Sequence, residues 1–321
     1  MFRRFRYYAE HIFTGTHIDS LDPEYPHPGA IAIRDGFVAA VDSAEDIMVT
    51  KGKKTQVTEL GDLELRPGKI LTDCRLSDEI LEGFEISSDN VELDYEVVSE
   101  RLKTRLEELA AQGYTSIFNN AEDPAKEIIC RELVTDLHNA GKLPLRYFGS
   151  YRLSSPMRAK VVTDLLDTQC KSCITLGGRV NFDTLCIDVQ DDPQKSGYMS
   201  SEYLIGLMQA AAAKGYSERI YTASRKTTLS LLETMGDLAA SYPKYAFVLI
   251  CPEEISSKER EDAHAEGVII LPQEQATAGD ERIIGKGSFL GKLMPGRMGD
   301  FTIWNDGVCL ETYISGKKVR G

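Results

Sequence analysis

Two hydrophobic periods alternate through the middle of the chain. Val98, Leu102, Leu106 and Leu109 recur at helical spacing and stop at Gly113, after which Tyr114 to Phe118 reads as a short strand. Asp123-Pro124 supplies a cap followed by proline at the first helical position, so a helix is predicted from there to about Ala140-Gly141. Leu143 to Tyr151 is the next strand, and Ser155-Pro156 opens the helix after it. Thr184 to Val189 follows as a strand, and Ser200 or Ser201 caps Tyr203, Leu204, Leu207, Met208 and Ala211 ahead of Gly215. Arg219 to Ala223, Ala246 to Cys251 and Gly267 to Leu271 are further strands, separated by helices that end near Ser241 and Glu266. Strands alternating with helices predict a parallel sheet with helices outside it, an α/β fold. Counting a strand ahead of Leu76, seven such units point to a barrel.

The ends of the chain read differently. Ala30 to Ile33, the hairpin signal Asp35-Gly36, and Phe37 to Val41 make residues 7–62 a β-meander. Beyond Leu271-Pro272-Gln273 only about a dozen residues precede Ile284, too few for an eighth strand and helix of the usual length. The barrel is therefore expected to be incomplete at its eighth unit.

Composition narrows the partners. With 321 residues and 42% hydrophobic positions, the chain can bury a large core. Its net charge of −13 argues against nucleic acid or an anionic membrane, both of which attract basic surfaces. No apolar run reaches the roughly 18 residues of a membrane span, and the Met-Phe-Arg-Arg-Phe-Arg start lacks the apolar core of a signal peptide. A cytoplasmic protein is expected. Seven cysteines in so long a chain do not read as a disulfide framework, and Cys170-Lys-Ser-Cys173 is a single Cys-x-x-Cys where a structural zinc site needs two, or one with two nearby histidines. His11, His17, His27, His138 and His264 form no pair at metal-binding spacing.

The segment Leu65 to Leu76 carries a family resemblance. Pro67-Gly68, Ile70 and Leu76 set it in register with the Pro-Gly-Phe-Ile-Asp-x-His-x-His-Leu segment of the amidohydrolase superfamily. Ile12-Phe13-Thr14-Gly15 and Ala30 to Val41 resemble that family's opening. Ile284 to Trp304 and Leu310 to Val319 resemble its tail. Gly197 and the helix after it resemble the amidohydrolase-3 branch, the group that includes N-substituted formamide deformylases. The resemblance implies a TIM-like (β/α) barrel over residues 68–283, with a small β-sandwich built from residues 1–67 and 284–321. It also implies metal ligands at the C-terminal ends of the strands: two His on strand one, an acidic or lysine ligand on strand four, His on strands five and six, and Asp on strand eight.

This sequence departs from that set at every position. Asp73 and Arg75 stand where the first two His would be, and an arginine repels a cation instead of binding it. On strand four the alternation puts Thr184, Cys186 and Asp188 on one face, taken as the inner one. Thr222 takes the strand-five position within Ile220-Tyr221-Thr222-Ala223, and Cys251 the strand-six position. The pocket candidates are thus Asp73, Arg75, Thr184, Asp188, Thr222 and Cys251, with no metal and no cofactor expected. Plainer roles stand beside these: Asp73 and Arg75 as an ion pair at the mouth, Cys186 and Cys251 as small buried apolar groups. Arg75 is expected to pair with Asp188, or failing that with Asp73, in the place of the lost metal. The reading that follows is an amidohydrolase-like protein that has lost hydrolysis and keeps a binding or regulatory role toward a small-molecule ligand. Its alternatives are an active hydrolase of a non-peptide C–N bond and a scaffold subunit of a homo-oligomer.

Overall fold

The hairpin signal forms as read. Asp35 and Gly36 both take positive φ, +52° and +83°, the geometry of a tight two-residue turn, between β3 (Ala30–Arg34) and β4 (Phe37–Asp42). These strands join β1 (Ala9–Thr14) and the Lys-rich β5 (Lys51–Glu59) in a four-stranded sheet, in the order β4-β3-β1-β5. A short helix α1 (Ala44–Met48), capped by Ser43, lies between β4 and β5. A computed structural model describes residues 8–86, 93–121, 123–173, 178–272 and 289–321, without the side chains of residues 73, 159 and 169–173.

A second sheet draws strands from both ends of the chain. Its order is β16-β15-β14-β6-β2, made of β2 (His17–Ile18), β6 (Glu64–Pro67), β14 (Phe301–Asn305), β15 (Val308–Ile314) and β16 (Lys317–Arg320). β6 and β14 run antiparallel with Thr302 opposite Arg66 and Ile303 opposite Leu65. Phe13, Ile31, Ile33 and Val38 from the first sheet share one core with Leu65, Phe301, Ile303 and Tyr313 from the second.

The middle of the chain is the α/β unit. Its strands are β7 (Lys69–Cys74), β8 (Tyr114–Asn119), β9 (Arg146–Leu153), β10 (Val180–Asp188), β11 (Ser217–Tyr221), β12 (Phe247–Cys251) and β13 (Val268–Pro272). All pair in parallel with their sequence neighbours. The helices are α2 (Leu76–Ile80), α3 (Tyr95–Ala111), α4 (Pro124–Asn139), α5 (Ala159–Cys173), α6 (Ser201–Ala213), α7 (Arg225–Ser241) and α8 (Ser257–Ala265). Asp123, Ser200, Ser224 and Ser256 cap four of them through their side chains, and Ser256 forms a capping box with Glu259. Among the described residues no helix is long and apolar enough to cross a membrane.

The seven strands form a curled half-barrel. β7 and β13 stand at its two edges, so among the described residues the sheet does not close. The expected remnant of an eighth unit falls on residues 273–288, outside the described residues, as do the side chains of Cys170 and Cys173.

Alternation along each strand sorts the core into two layers. Leu185, Ile187, Ile220, Phe247, Leu249, Cys251, Val268 and Ile270 pack against α6, α7 and α8 on the convex side. Phe118, Phe148 and Cys186 face the concave side, where Leu290 and Met298 cover them, and Val248, Ile250, Ile269 and Leu271 continue that wall toward β13. Gly113 joins this unit to the second sheet: its φ is +86°, and a Cβ there would lie 2.3 Å from the Trp304 ring. Only glycine satisfies both demands.

Candidate functional site at the strand ends

In a parallel α/β sheet, side chains at the C-terminal strand ends meet in front of the sheet, and that is where such folds place their chemistry. Four polar groups do so here. Asn120 follows β8, Arg152 is on β9, Asp188 ends β10 and Tyr221 ends β11. Arg152 Nε donates to Asp188 Oδ2 at 2.8 Å, and its Nη2 donates to Oδ1 at 2.7 Å. Its Nη1 reaches Asn120 Oδ1 at 3.5 Å, and Asn120 Nδ2 donates to the Tyr221 hydroxyl. The guanidinium lies 4.5 Å from the Tyr221 ring centroid, a stacked cation–π contact. Burial opposes the charge on Arg152, but the paired Asp188 carboxylate outweighs it and holds the guanidinium above its ordinary pKa.

The sequence candidates distribute unevenly around this cluster. Asp188 belongs to it, but its partner is Arg152 and not Arg75. Arg75 has left β7 and sits at the N-cap of α2 with an exposed side chain. Asp73 lies in β7, with its side chain outside the described set. Thr184 is buried on the concave side, two positions below Cys186. Thr222 and Cys251 face away from the mouth. The Thr222 hydroxyl is 2.6 Å from that of Thr228 and 3.1 Å from the Ile250 carbonyl, and Cys251 is embedded in the convex core. The cause is one of register: β11 ends at Tyr221, and its alternation aims Arg219 and Tyr221 inward. Arg152, Asn120 and Tyr221 are the members that sequence reasoning missed. An arginine one residue beyond a predicted parallel strand was the available signal.

A second polar group is buried on the convex side, between β8, β9 and α4. Asn119 Nδ2 donates to Glu127, and the Tyr147 hydroxyl donates to Glu127 Oε1 at 3.1 Å. Asn119 also holds Ser77 through its side chain, accepting from the Ser77 backbone N–H at 3.2 Å and donating to its hydroxyl at 3.1 Å. Gly149 makes the room, since a Cβ there would meet Glu127 Oε1 at 2.3 Å. Burial pushes the Glu127 carboxyl up to about 8, against hydrogen bonds from Tyr147 and Asn119 that act the other way. Burial likewise raises Cys130 and Tyr147 well above their ordinary values.

A folded-state value of about 8, above the ordinary 4.5, means the native state holds this proton more tightly than the unfolded chain does. The associated stability is fully present below pH 4.5, falls across the interval, and is gone above pH 8, a span of roughly 5 kcal/mol. Glu127→Gln is expected to flatten the fall in stability between pH 5 and 8. Parallel wild-type and variant curves in urea across that range would contradict it.

No protein-family model matches this sequence, and no curated protein matches it. Solved structures do. The chain superposes on molinate hydrolase with a TM-score of 0.61 at 12% identity, covering 97% of this chain and 95% of that one. It superposes on an adenosine deaminase from Xanthomonas campestris with bound zinc at a TM-score of 0.62 and 10% identity, covering 97% and 93%. For A. niger ochratoxinase the TM-score is 0.64 at 14% identity, covering 97% and 95%. The chain therefore shares the fold of these proteins, and at such identities the likeness speaks for the fold alone.

That fold includes proteins solved with zinc, and the described residues at the positions where the resemblance puts metal ligands do not fit a metal. Asp188 is engaged at both oxygens by a guanidinium, Thr222 Oγ1 is spent on Thr228 and Ile250, and Cys251 Sγ is sealed among apolar side chains. Among the described residues no group of three or more His, Cys, Asp or Glu could hold a metal ion.

Proposed function

We propose that this chain binds a small polar molecule at the mouth of the half-barrel, through Arg152, Asp188, Asn120 and Tyr221, without a metal and without hydrolysis. The supporting observation is the Arg152–Asp188 pair. It sets a guanidinium at the strand ends where the related fold calls for metal ligands. In this reading Asp73, Arg75 and Thr184 belong to the walls, while Thr222 and Cys251 only hold the fold. Residues 1–67 and 284–321 act as one β-domain beside a shortened barrel of residues 68–283, a division supported by the β6–β14 pairing and the shared core of the two sheets.

A second reading is a working hydrolase of a C–N bond in a small molecule. It is supported by similar structures that are themselves named as hydrolases and a deaminase. A third, a subunit completed by another copy, is supported by the two sheet edges that β7 and β13 form among the described residues.

A thermal-shift screen of small polar molecules, run beside a hydrolysis screen with and without added zinc, separates the first two. Binding that shifts the wild type but not Arg152→Met, with no turnover, is the expected result. Turnover that depends on added metal and disappears in Asp188→Ala would replace it with the second reading.

A further inference from the structure

We propose that the ligand taken at the mouth carries a carboxylate, and that Arg152 reads it through the edge of its guanidinium that Asp188 leaves uncovered. The inference rests on the small-molecule reading above and deepens it. A guanidinium has five N–H donors, arranged so that two different edges can each meet a carboxylate in a fork. Asp188 occupies the Nε–Nη2 edge. The remaining edge runs from Nη2 to Nη1, and among the described residues Nη1 has only the 3.5 Å contact with Asn120, the outer limit of a hydrogen bond.

Three neighbours fix this edge before any ligand arrives. Asp188 fixes its in-plane rotation, and the Tyr221 ring at 4.5 Å fixes its plane. Asn120, tied to the Tyr221 hydroxyl, marks its far corner. A donor fork so held loses little conformational freedom on binding. The Arg152 side chain is 14% exposed and that of Asp188 21%. The pair is shielded enough to strengthen a charge contact yet open to a solute.

One physical consequence separates a recognition role from a structural one. A bound carboxylate would lie across the guanidinium from Asp188, and the two negative charges repel. Removing the Asp188 charge while keeping its shape therefore tightens carboxylate binding. A purely structural pair would give the opposite result, because loosening Arg152 can only weaken the site.

Benzoate and benzamide are matched in shape and differ in charge, so titration of the full-length protein with each, followed by calorimetry or by NMR, is the test. Benzoate is expected to bind about tenfold more tightly than benzamide. Arg152→Met should abolish the preference. Arg152→Lys, which keeps the charge and loses the fork, should retain part of it, and Asp188→Asn should raise benzoate affinity several-fold. Near-UV circular dichroism identifies any variant that fails to fold, and the wild-type benzoate–benzamide comparison stands without the variants. Equal binding of the two probes, a preference that survives Arg152→Met, or no saturable benzoate binding overturns the inference. If other molecules from the polar screen still bind through Arg152, the small-molecule reading stands and only the carboxylate falls. If nothing binds, both fall.

Discussion

Asp300→Ala is expected to lower the free energy of unfolding by roughly 3–5 kcal/mol. Asp300 lies just before β14 and faces Arg146, the first residue of β9, with side-chain exposures of 2% and 1%. Arg146 Nη2 donates to Asp300 Oδ1 at 3.0 Å and to the Ser315 hydroxyl at 2.6 Å, and its Nη1 donates to the Gly178 carbonyl at 2.8 Å. The Ser315 backbone N–H donates to Asp300 Oδ1 at 2.7 Å. Asp300 is thus the acceptor for both the half-barrel and the turn after β15. Arg179 adds a second guanidinium nearby, lowered from its ordinary value by burial and by the Arg146 charge. Taking the carboxylate away strands a positive charge that water cannot reach. Arg146→Met with Asp300→Ala should therefore be less damaging than the sum of the single changes. Denaturant unfolding of the three variants checks this, and strict additivity would show that the two residues do not act as a pair.

Ending the chain at residue 283 should have a still larger effect, abolishing cooperative folding. β6 would lose β14, its antiparallel partner, and the core shared by the two sheets would lose Leu293, Phe301, Ile303 and Tyr313. Each such buried side chain contributes about 1.5–3 kcal/mol, so four of them amount to most of the 5–15 kcal/mol that holds an ordinary domain folded. Val38 would also lose the Arg297 carbonyl that accepts its N–H. The expected product is insoluble or lacks a thermal transition, and co-expression of residues 284–321 should recover part of it. A soluble truncated chain with a cooperative transition would show that residues 1–67 do not need the C-terminal strands.

The order of elements was legible because apolar period and capping agree. Asp123-Pro124 and Ser200 start helices where they were read, and the predicted strands lie within a few residues of those observed. The site was less legible, for two local reasons. β11 opens on Ser217, Glu218 and Arg219, all buried, and so much polarity hides a core strand. Matching Ile220-Tyr221-Thr222-Ala223 to the family's strand-five motif placed Thr222 at the site, whereas Tyr221 is the residue that faces inward there. β9 runs to Leu153, beyond the Tyr151 at which its apolar run fades, and Arg152 sits in that unread end. The idea that a guanidinium stands at the metal's position took the nearest arginine in the motif, Arg75. The pairing partner of Asp188 comes instead from the neighbouring strand, where Arg152 is directly opposite Cys186.

Elemental analysis of protein purified without chelators tests most directly whether an ion pair stands where the related fold holds its metal. Zinc, iron and manganese are expected far below one per chain, unchanged between the wild type and Asp188→Ala. A ratio near one that survives dialysis and drops in Asp188→Ala would contradict the Arg152–Asp188 site and restore a metal to the strand ends.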